Sequence, residues 1–149
     1  MKQEIVMRGK TPSGENDILN FSGLKPGYAY RLINFEIFFS TGIGTTNQEL
    51  CASLTAAKTY ENPASPNFKN QGLIATATLS TYPPSNLGSA ASTVINHTFL
   101  ITQDLILAVV DTVSGAPADV NWQCTFVAEK MNDSETAVAN YKQFTISDE

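Results

Sequence analysis

The amino-acid sequence predicts an all-β fold, an antiparallel sandwich of eight strands. Three observations lead to this prediction: eight short segments are rich in β-prone residues, several alternate apolar with polar residues, and turns rich in Pro, Gly and Asn separate them. Such alternation is typical of strands with one buried face. Short strands between turn signals are typical of sandwiches and barrels.

Eight strands are the number that a jelly roll needs, with two four-stranded sheets packed face to face. An immunoglobulin-like sandwich is the main alternative, but the spacing of Cys51, Trp122 and Cys124 departs from the Cys…Trp…Cys pattern of those domains. A chain of 149 residues has the length of one domain. We expect the sandwich to occupy residues 1–133 and a C-terminal tail to occupy 134–149.

The predicted strands follow one another at short intervals. A turn cluster with Pro12 and Gly14 separates the first two, and Pro26 and Gly27 lead into the third. A short helix is the alternative for the fourth. In chain order the predicted strands are residues 3–8, 18–21, 28–40, 49–56, 73–81, 94–101, 104–111 and 120–130.

The third strand has the longest β-prone run. From Ile33 onward every second residue is apolar, which predicts that one face is buried and that Asn34, Glu36 and Phe38 lie on the other. Before Ile33 the pattern changes, because Tyr28, Tyr30 and Leu32 share the opposite face. This change predicts a β-bulge, or a second face that a partner subunit covers. The side chains expected to be buried are Ile33, Phe35, Ile37 and Phe39.

The later strands carry small or apolar residues on their inner faces. The sixth places His97 on the same face as Phe99 and Ile101, where a hydrogen-bonded core histidine is expected rather than a base or ligand. The seventh is apolar on both faces, so we expect both to be covered. The eighth alternates regularly and points Trp122 into the core.

Two long loops and the tail carry aromatic residues. Tyr60 and Phe68 lie in the irregular segment 57–71, and Tyr82 begins a second loop over 82–93. Long loops are usually functional or bound to a partner. Tyr60 and Phe68 either anchor their loop on the sandwich or insert into a neighbouring subunit. The tail is expected to form a short helix, with an extra strand as the alternative, and its Tyr141 and Phe144 also need a partner surface. The candidate partner-contact residues are Tyr60, Phe68, Tyr82, Tyr141 and Phe144.

No pattern of reactive residues predicts catalysis. The chain has one histidine, and Cys51 and Cys124 lie far apart, so the close spacing of a zinc site is missing. Phosphate-binding loops and nucleophile elbows are also missing. We therefore expect no enzyme activity, no catalytic residue, no cofactor and no metal. We expect both cysteines to be free buried thiols, and a disulfide is the alternative if their strands face each other across the core.

The composition excludes some partners. Only 15% of the residues are charged and the formal net charge is −5. Nucleic-acid binding requires clustered Lys and Arg. The one cluster here is Lys2, Arg8 and Lys10, and the other basic residues are scattered, so we expect no nucleic-acid partner. No apolar segment predicts a signal peptide or a membrane span. A weakly charged polar surface is suited to packing against other proteins.

Over its whole length the chain resembles the small single jelly-roll virion proteins of bacteriophages. The resemblance rests on the N-terminal strand, on Ser/Thr/Ala-rich strands such as residues 75–79, and on a closing strand followed by a short tail. It implies a non-enzymatic capsid decoration (cement) or minor capsid protein that is located in the virion. Its partners would be capsid proteins and further copies of itself, with a trimer favoured.

A carbohydrate-binding module is the alternative function, since jelly rolls also serve as lectins. Such modules use exposed aromatic platforms, for which Tyr28, Tyr30, Tyr60 and Tyr82 are the candidates. A cupin-like enzyme ranks last, because a cupin needs several histidines on its inner strands.

Overall fold

The computed structural model describes residues 3–21, 27–41, 47–56, 59–81, 89–113, 119–131 and 138. It confirms the all-β prediction. The described residues form eight strands. In chain order they are β1 (Gln3–Thr11), β2 (Asn16–Leu19), β3 (Tyr28–Phe39), β4 (Gln48–Thr55), β5 (Leu73–Thr81), β6 (Ser89–Ile95), β7 (Leu105–Asp111) and β8 (Val120–Lys130).

The strands form two antiparallel sheets that pack as a sandwich. Sheet A has the order β1-β8-β3, and sheet B has the order β2-β7-β4-β5-β6. The sheets therefore contain three and five strands rather than the four and four expected for a jelly roll, because β6 pairs with β5 in sheet B. The sandwich is confirmed, and the jelly-roll topology is not. The segment read as either strand or helix is strand β4.

A β-bulge explains the irregular pattern of the third strand. The register of β3 against β8 shifts between Leu32 and Asn34, so Ile33 is the extra residue. Leu32 and Phe35 on either side of the bulge are fully buried, while Ile33 is 40% exposed. Of the two alternatives predicted for this strand, the bulge is the one observed, but the prediction that Ile33 is buried is wrong. An extra residue reverses which side chains face the core, so the inward face continues from Tyr30 and Leu32 to Phe35.

The core lies between the two sheets, with Trp122 at one end of it. The Trp122 indole N–H donates to Thr11 Oγ1 over 2.9 Å, which satisfies its one polar group. Gly9 lies opposite Trp122 in the β1–β8 register. A Cβ at Gly9 would lie 2.8 Å from the ring, so only glycine leaves room for the indole there. The inward orientation of Trp122 is confirmed.

The sixth strand lies earlier in the chain than predicted. It was expected at 94–101, but β6 ends at Ile95. The Asn96 side chain ends it, because Asn96 Oδ1 accepts from the Thr98 backbone N–H at 3.1 Å and from Thr98 Oγ1 at 2.7 Å. His97 therefore lies in an exposed turn, and its predicted place in the core is wrong. Beyond the turn, Ile101 pairs with Tyr30 in an isolated bridge.

Candidate interaction surface

The long loop between β4 and β5 lies against the outer face of sheet B. Ser53 and Thr55 alternate with the core residue Leu54, so their side chains face outward, yet both are fully buried. Ser53 Oγ donates to the backbone oxygen of Glu61 over 2.6 Å, and the Glu61 N–H donates to Thr55 Oγ1 over 3.4 Å. The Ala56 N–H donates to the Gly72 oxygen at the end of the loop. The loop thus covers the outer ends of these β4 side chains.

The carboxylate of Glu61 connects the two halves of the loop. Its Oε1 accepts from the Asn67 backbone N–H at 3.0 Å, and its Oε2 accepts from Asn70 Nδ2 at 2.6 Å. Hydrogen bonds to an ionised carboxylate are stronger than bonds between neutral groups. Two distant parts of the loop are therefore fixed by one side chain.

Three asparagine turns shape the rest of the loop. The side-chain oxygens of Asn62, Asn67 and Asn70 each accept from the backbone N–H two residues later, at 2.9 to 3.0 Å. This is the local bond that makes Asn frequent in turns. The loop over 59–72 is thereby held by its own hydrogen bonds as well as by β4.

Both aromatic residues of this loop are exposed. Tyr60 is 53% exposed and Phe68 is 66% exposed. The interpretation that they anchor the loop on the sandwich is wrong, because Glu61 and the buried Pro63 hold that place. The hydrogen-bonded loop instead holds two aromatic side chains at the surface.

A groove runs from Phe68 to the edge strand β6. It has a volume of about 250 Å³, and Phe68, Ile74, Thr76 and Val94 are among its lining residues. Val94 is 50% exposed and points to the same outer side of sheet B. Phe68 and Val94 give this groove an apolar wall on two sides. We call Phe68 and Val94, with the groove between them, the loop–β6 surface.

A second groove lies on sheet A, beside the exposed Phe38. Its volume is about 520 Å³, and it has basic residues at the β1 side and Glu36 at the β3 side. Arg8 donates to the Gln123 side chain, and Lys10 lies 4.0 Å from a carboxylate oxygen of Asp119. Both basic groups therefore have partners within the protein. Lys2, the third member of the basic cluster, lies outside the described residues.

The reactive side chains are spread apart. His97 lies in its exposed turn, where its backbone oxygen accepts from Arg31 Nη1. Cys51 and Cys124 are free thiols in different sheets. Burial raises the pKa of Cys124 strongly, and burial followed by the charges of Glu49 and Asp111 raises the pKa of Cys51. Within the described ranges, the acidic, Cys and His side chains form no group of three that could hold a metal ion.

The remaining predicted site residues fall elsewhere. Tyr82, Tyr141 and Phe144 lie outside the described residues, as does the tail of 134–149 apart from Val138, which is helical and exposed. Of the proposed sugar platform, Tyr30 is buried and Tyr28 is half-buried, so both differ from the exposed placement expected for them.

Sequence reasoning missed the residues that build the site. Glu61, Ser53 and Thr55 carry no signal of their own, since their partners are brought together only when the loop folds onto β4. Val94 was predicted to lie in β6, but not beside Phe68. The cluster of asparagines in the loop was the one available signal.

No helix within the described ranges is long and apolar enough to cross a membrane. No protein-family model and no curated protein matches the chain. One solved structure, reported under the description that Bacillus endospore appendages form a novel family of disulfide-linked pili, is similar over 89% of this chain and 88% of that chain. Its sequence identity is 12% and its TM-score is 0.37, which is too low for the likeness to carry an argument about this chain.

Proposed function

We propose that this chain is a non-enzymatic structural protein that acts by packing against other protein subunits. The observation that carries the proposal is the exposure of Tyr60 and Phe68 on a hydrogen-bonded loop. Aromatic residues are enriched at the centres of protein interfaces. A loop already held in one conformation also loses less entropy when it binds.

The finer proposal is a capsid decoration or minor capsid protein of a bacteriophage virion, in contact with capsid subunits and with further copies of itself. Its support is the resemblance to small virion proteins, together with the low share of charged residues in the chain, 15%. Charged residues are depleted at the cores of protein interfaces. A trimer is the favoured assembly.

The placement of the reactive groups supports the non-enzymatic part of the proposal. A catalytic thiol requires its thiolate form, and the pKa of Cys124 is raised by burial. A histidine general base requires a substrate site within hydrogen-bonding reach, and His97 lies on an exposed turn and is not among the residues that line the two grooves described above.

Carbohydrate binding is the second candidate, and the exposed Tyr60 ring is the observation that favours it. A glycan array with the wild type and Tyr60→Ala, with and without EDTA, tests it. Binding that is lost with Tyr60→Ala would favour this candidate over the structural one.

The structural proposal is tested by light scattering after size exclusion, over a series of protein concentrations. The double variant Tyr60→Ala/Phe68→Ala is compared with Val6→Ala, which removes a similarly exposed apolar side chain from sheet A. We expect the double variant to weaken association by about tenfold or more, as the loss of interface aromatics does, and Val6→Ala to change it little. Equal effects of the two variants would contradict a specific role for the loop.

A further inference from the structure

The two sheets of this sandwich end in four edge strands, of which three have features that block pairing. Exposed sheet edges invite another strand unless charges, bulges or short length prevent it. β1 carries Arg8 and Lys10, and β3 carries Glu36 and the bulge. β2 is four residues long and includes Asp17.

The fourth edge strand, β6, has none of these features. Its sequence is Ser-Ala-Ala-Ser-Thr-Val-Ile, without a charged residue or a proline. Residues 90–94 are exposed. Among the described strands, β5 is its one partner. This edge is therefore the one that the sequence leaves open.

The backbone of β6 is oriented to pair with a further strand. The Asn96 N–H donates to the Ile74 oxygen of the neighbouring segment over 2.8 Å. Because backbone groups of an antiparallel strand alternate in direction along the chain, Ala91, Thr93 and Ile95 direct their N–H and C=O groups away from β5. Among the described residues, no strand pairs with these groups, and we call them the free edge of β6.

Open space lies on both faces of this edge. On the outer face is the groove between Phe68 and Val94. On the inner face a groove of about 410 Å³ lies between β3 and the pair β5–β6, with Phe38, Leu79 and Thr93 among its lining residues. An added strand directs alternate side chains to opposite faces, so both sets of its side chains would find a groove.

We propose that β6 of one copy pairs antiparallel with β6 of a second copy, which joins two B sheets into one continuous sheet. This inference rests on the proposed function, because it identifies one of the contacts through which the chain assembles. In a two-fold interface each residue meets the same surface patch on the partner. Like charges directly opposite each other destabilise a strand pair, and β6 is the edge whose side chains bring no charge to the axis.

The proposed register places the two-fold axis at the middle of β6. An axis at Ser92, the central residue of Ser89–Ile95, places Ser92 opposite itself, Ala90 opposite Val94 and Ala91 opposite Thr93. Each larger side chain then faces a smaller one. The outward N–H and C=O groups of Ala91 then face those of Thr93 in the second copy. The hydrogen-bonded pairs of the new ladder therefore fall at the residues whose backbone groups point away from β5.

Charged substitutions at Ser92 test the pairing, with dimerisation measured by sedimentation velocity. Ser92→Lys and Ser92→Glu each place two like charges on the axis, and we expect each to weaken dimerisation about tenfold or more. An equimolar mixture of the two should restore a dimer, because the charges are then opposite. The matched controls Val6→Lys and Val6→Glu change an exposed residue of β1 and should leave association unchanged.

A cross-link gives a second, direct measurement. In a non-hydrogen-bonded antiparallel pair the Cα atoms lie about 4.5 Å apart, which a disulfide spans. Mild oxidation of Ser92→Cys should therefore give a covalent dimer, whereas Val6→Cys and the wild type, with its partly buried Cys51 and buried Cys124, should not.

Several results would overturn the inference. One is a wild type that stays monomeric up to about 1 mM. Others are an association that Ser92→Lys leaves unchanged, a mixture of charge variants that does not recover a dimer, or no cross-link at Ser92→Cys. A trimer that depends on Tyr60 and Phe68 but not on Ser92 would overturn this inference alone and leave the proposed function standing.

Discussion

At the scale of single residues, Glu61 shows how one side chain organises the candidate surface. Its backbone is bound by Ser53 and Thr55 of β4, and its carboxylate binds Asn67 and Asn70 on the far side of the loop. Phe68 lies between these last two positions in the chain. The exposed aromatic is thus presented by a segment that a carboxylate holds in place.

Replacing Glu61 should loosen the loop. Glu61→Ala leaves the Asn67 N–H and the Asn70 amide without their acceptor, and because both lie at the surface, water replaces part of the loss. We expect the free energy of unfolding to fall by about 1–2 kcal/mol. Urea denaturation measures it, with the exposed Glu4→Ala as the control. Equal stability of the two variants would show that the carboxylate does not hold the loop.

The buried thiol of Cys124 gives a pH prediction. Burial raises its pKa in the folded state, so the unfolded chain releases this proton first as the pH rises. The stabilising contribution is complete below the unfolded thiol pKa of about 8.5 and falls above it, by up to about 1.4 kcal/mol per pH unit.

This prediction is tested by measuring the free energy of unfolding between pH 7 and 10 in the wild type and in Cys124→Ala. Each curve is expressed relative to its own value at pH 7, which removes the stability lost by the substitution itself. The wild type should lose stability more steeply above the unfolded thiol pKa of about 8.5. Parallel curves over the whole range would show that the thiol does not contribute.

At the scale of elements, the strand predictions succeeded where apolar and polar residues alternate along the whole strand. They failed where a single side chain forms a turn that ends the strand. β8 alternates without interruption, and its predicted and observed bounds agree. After β6, the apolar residues Phe99 and Ile101 continue the alternation beyond Ile95, which led to a predicted strand end at residue 101. The Asn96 turn interrupts the strand before them.

The loop shows a different limit of the sequence. Its length and its asparagines predicted an irregular segment, and its aromatics were expected either to anchor the loop on the sandwich or to insert into a neighbouring subunit. Whether an aromatic in a loop is buried depends on which residues already occupy the sheet face below it. Here Glu61 and Pro63 occupy that face, which residue spacing alone does not reveal.

The bulge in β3 predicts that substitutions at two adjacent residues lower the free energy of unfolding by very different amounts. Leu32→Ala removes a fully buried side chain and should cost about 2–5 kcal/mol of unfolding free energy. Ile33→Ala changes the partly exposed bulge residue and should cost about 1 kcal/mol or less. Chemical denaturation of both variants compares them directly. A larger loss for Ile33→Ala would place the bulge elsewhere.

At the scale of the whole molecule, the three-over-five sandwich leaves β6 and the loop over 59–72 side by side at one end of sheet B. The loop supplies the exposed Phe68, and β6 supplies Val94 and an uncharged free edge. These two features form one surface, the loop–β6 surface, on a chain of which 15% of the residues are charged. Such a surface is suited to contact with protein, and the proposed assembly role follows from it.

The most direct measurement of that role is the solution mass of the wild type over a concentration series, at physiological salt and at about 1 M salt. Contacts made by aromatic groups and backbone pairing do not depend on exposed charges, which salt screens. We therefore predict a concentration-dependent oligomer whose mass is maintained at high salt. A monomer at every concentration, or an oligomer that dissociates at high salt, would contradict assembly through this surface.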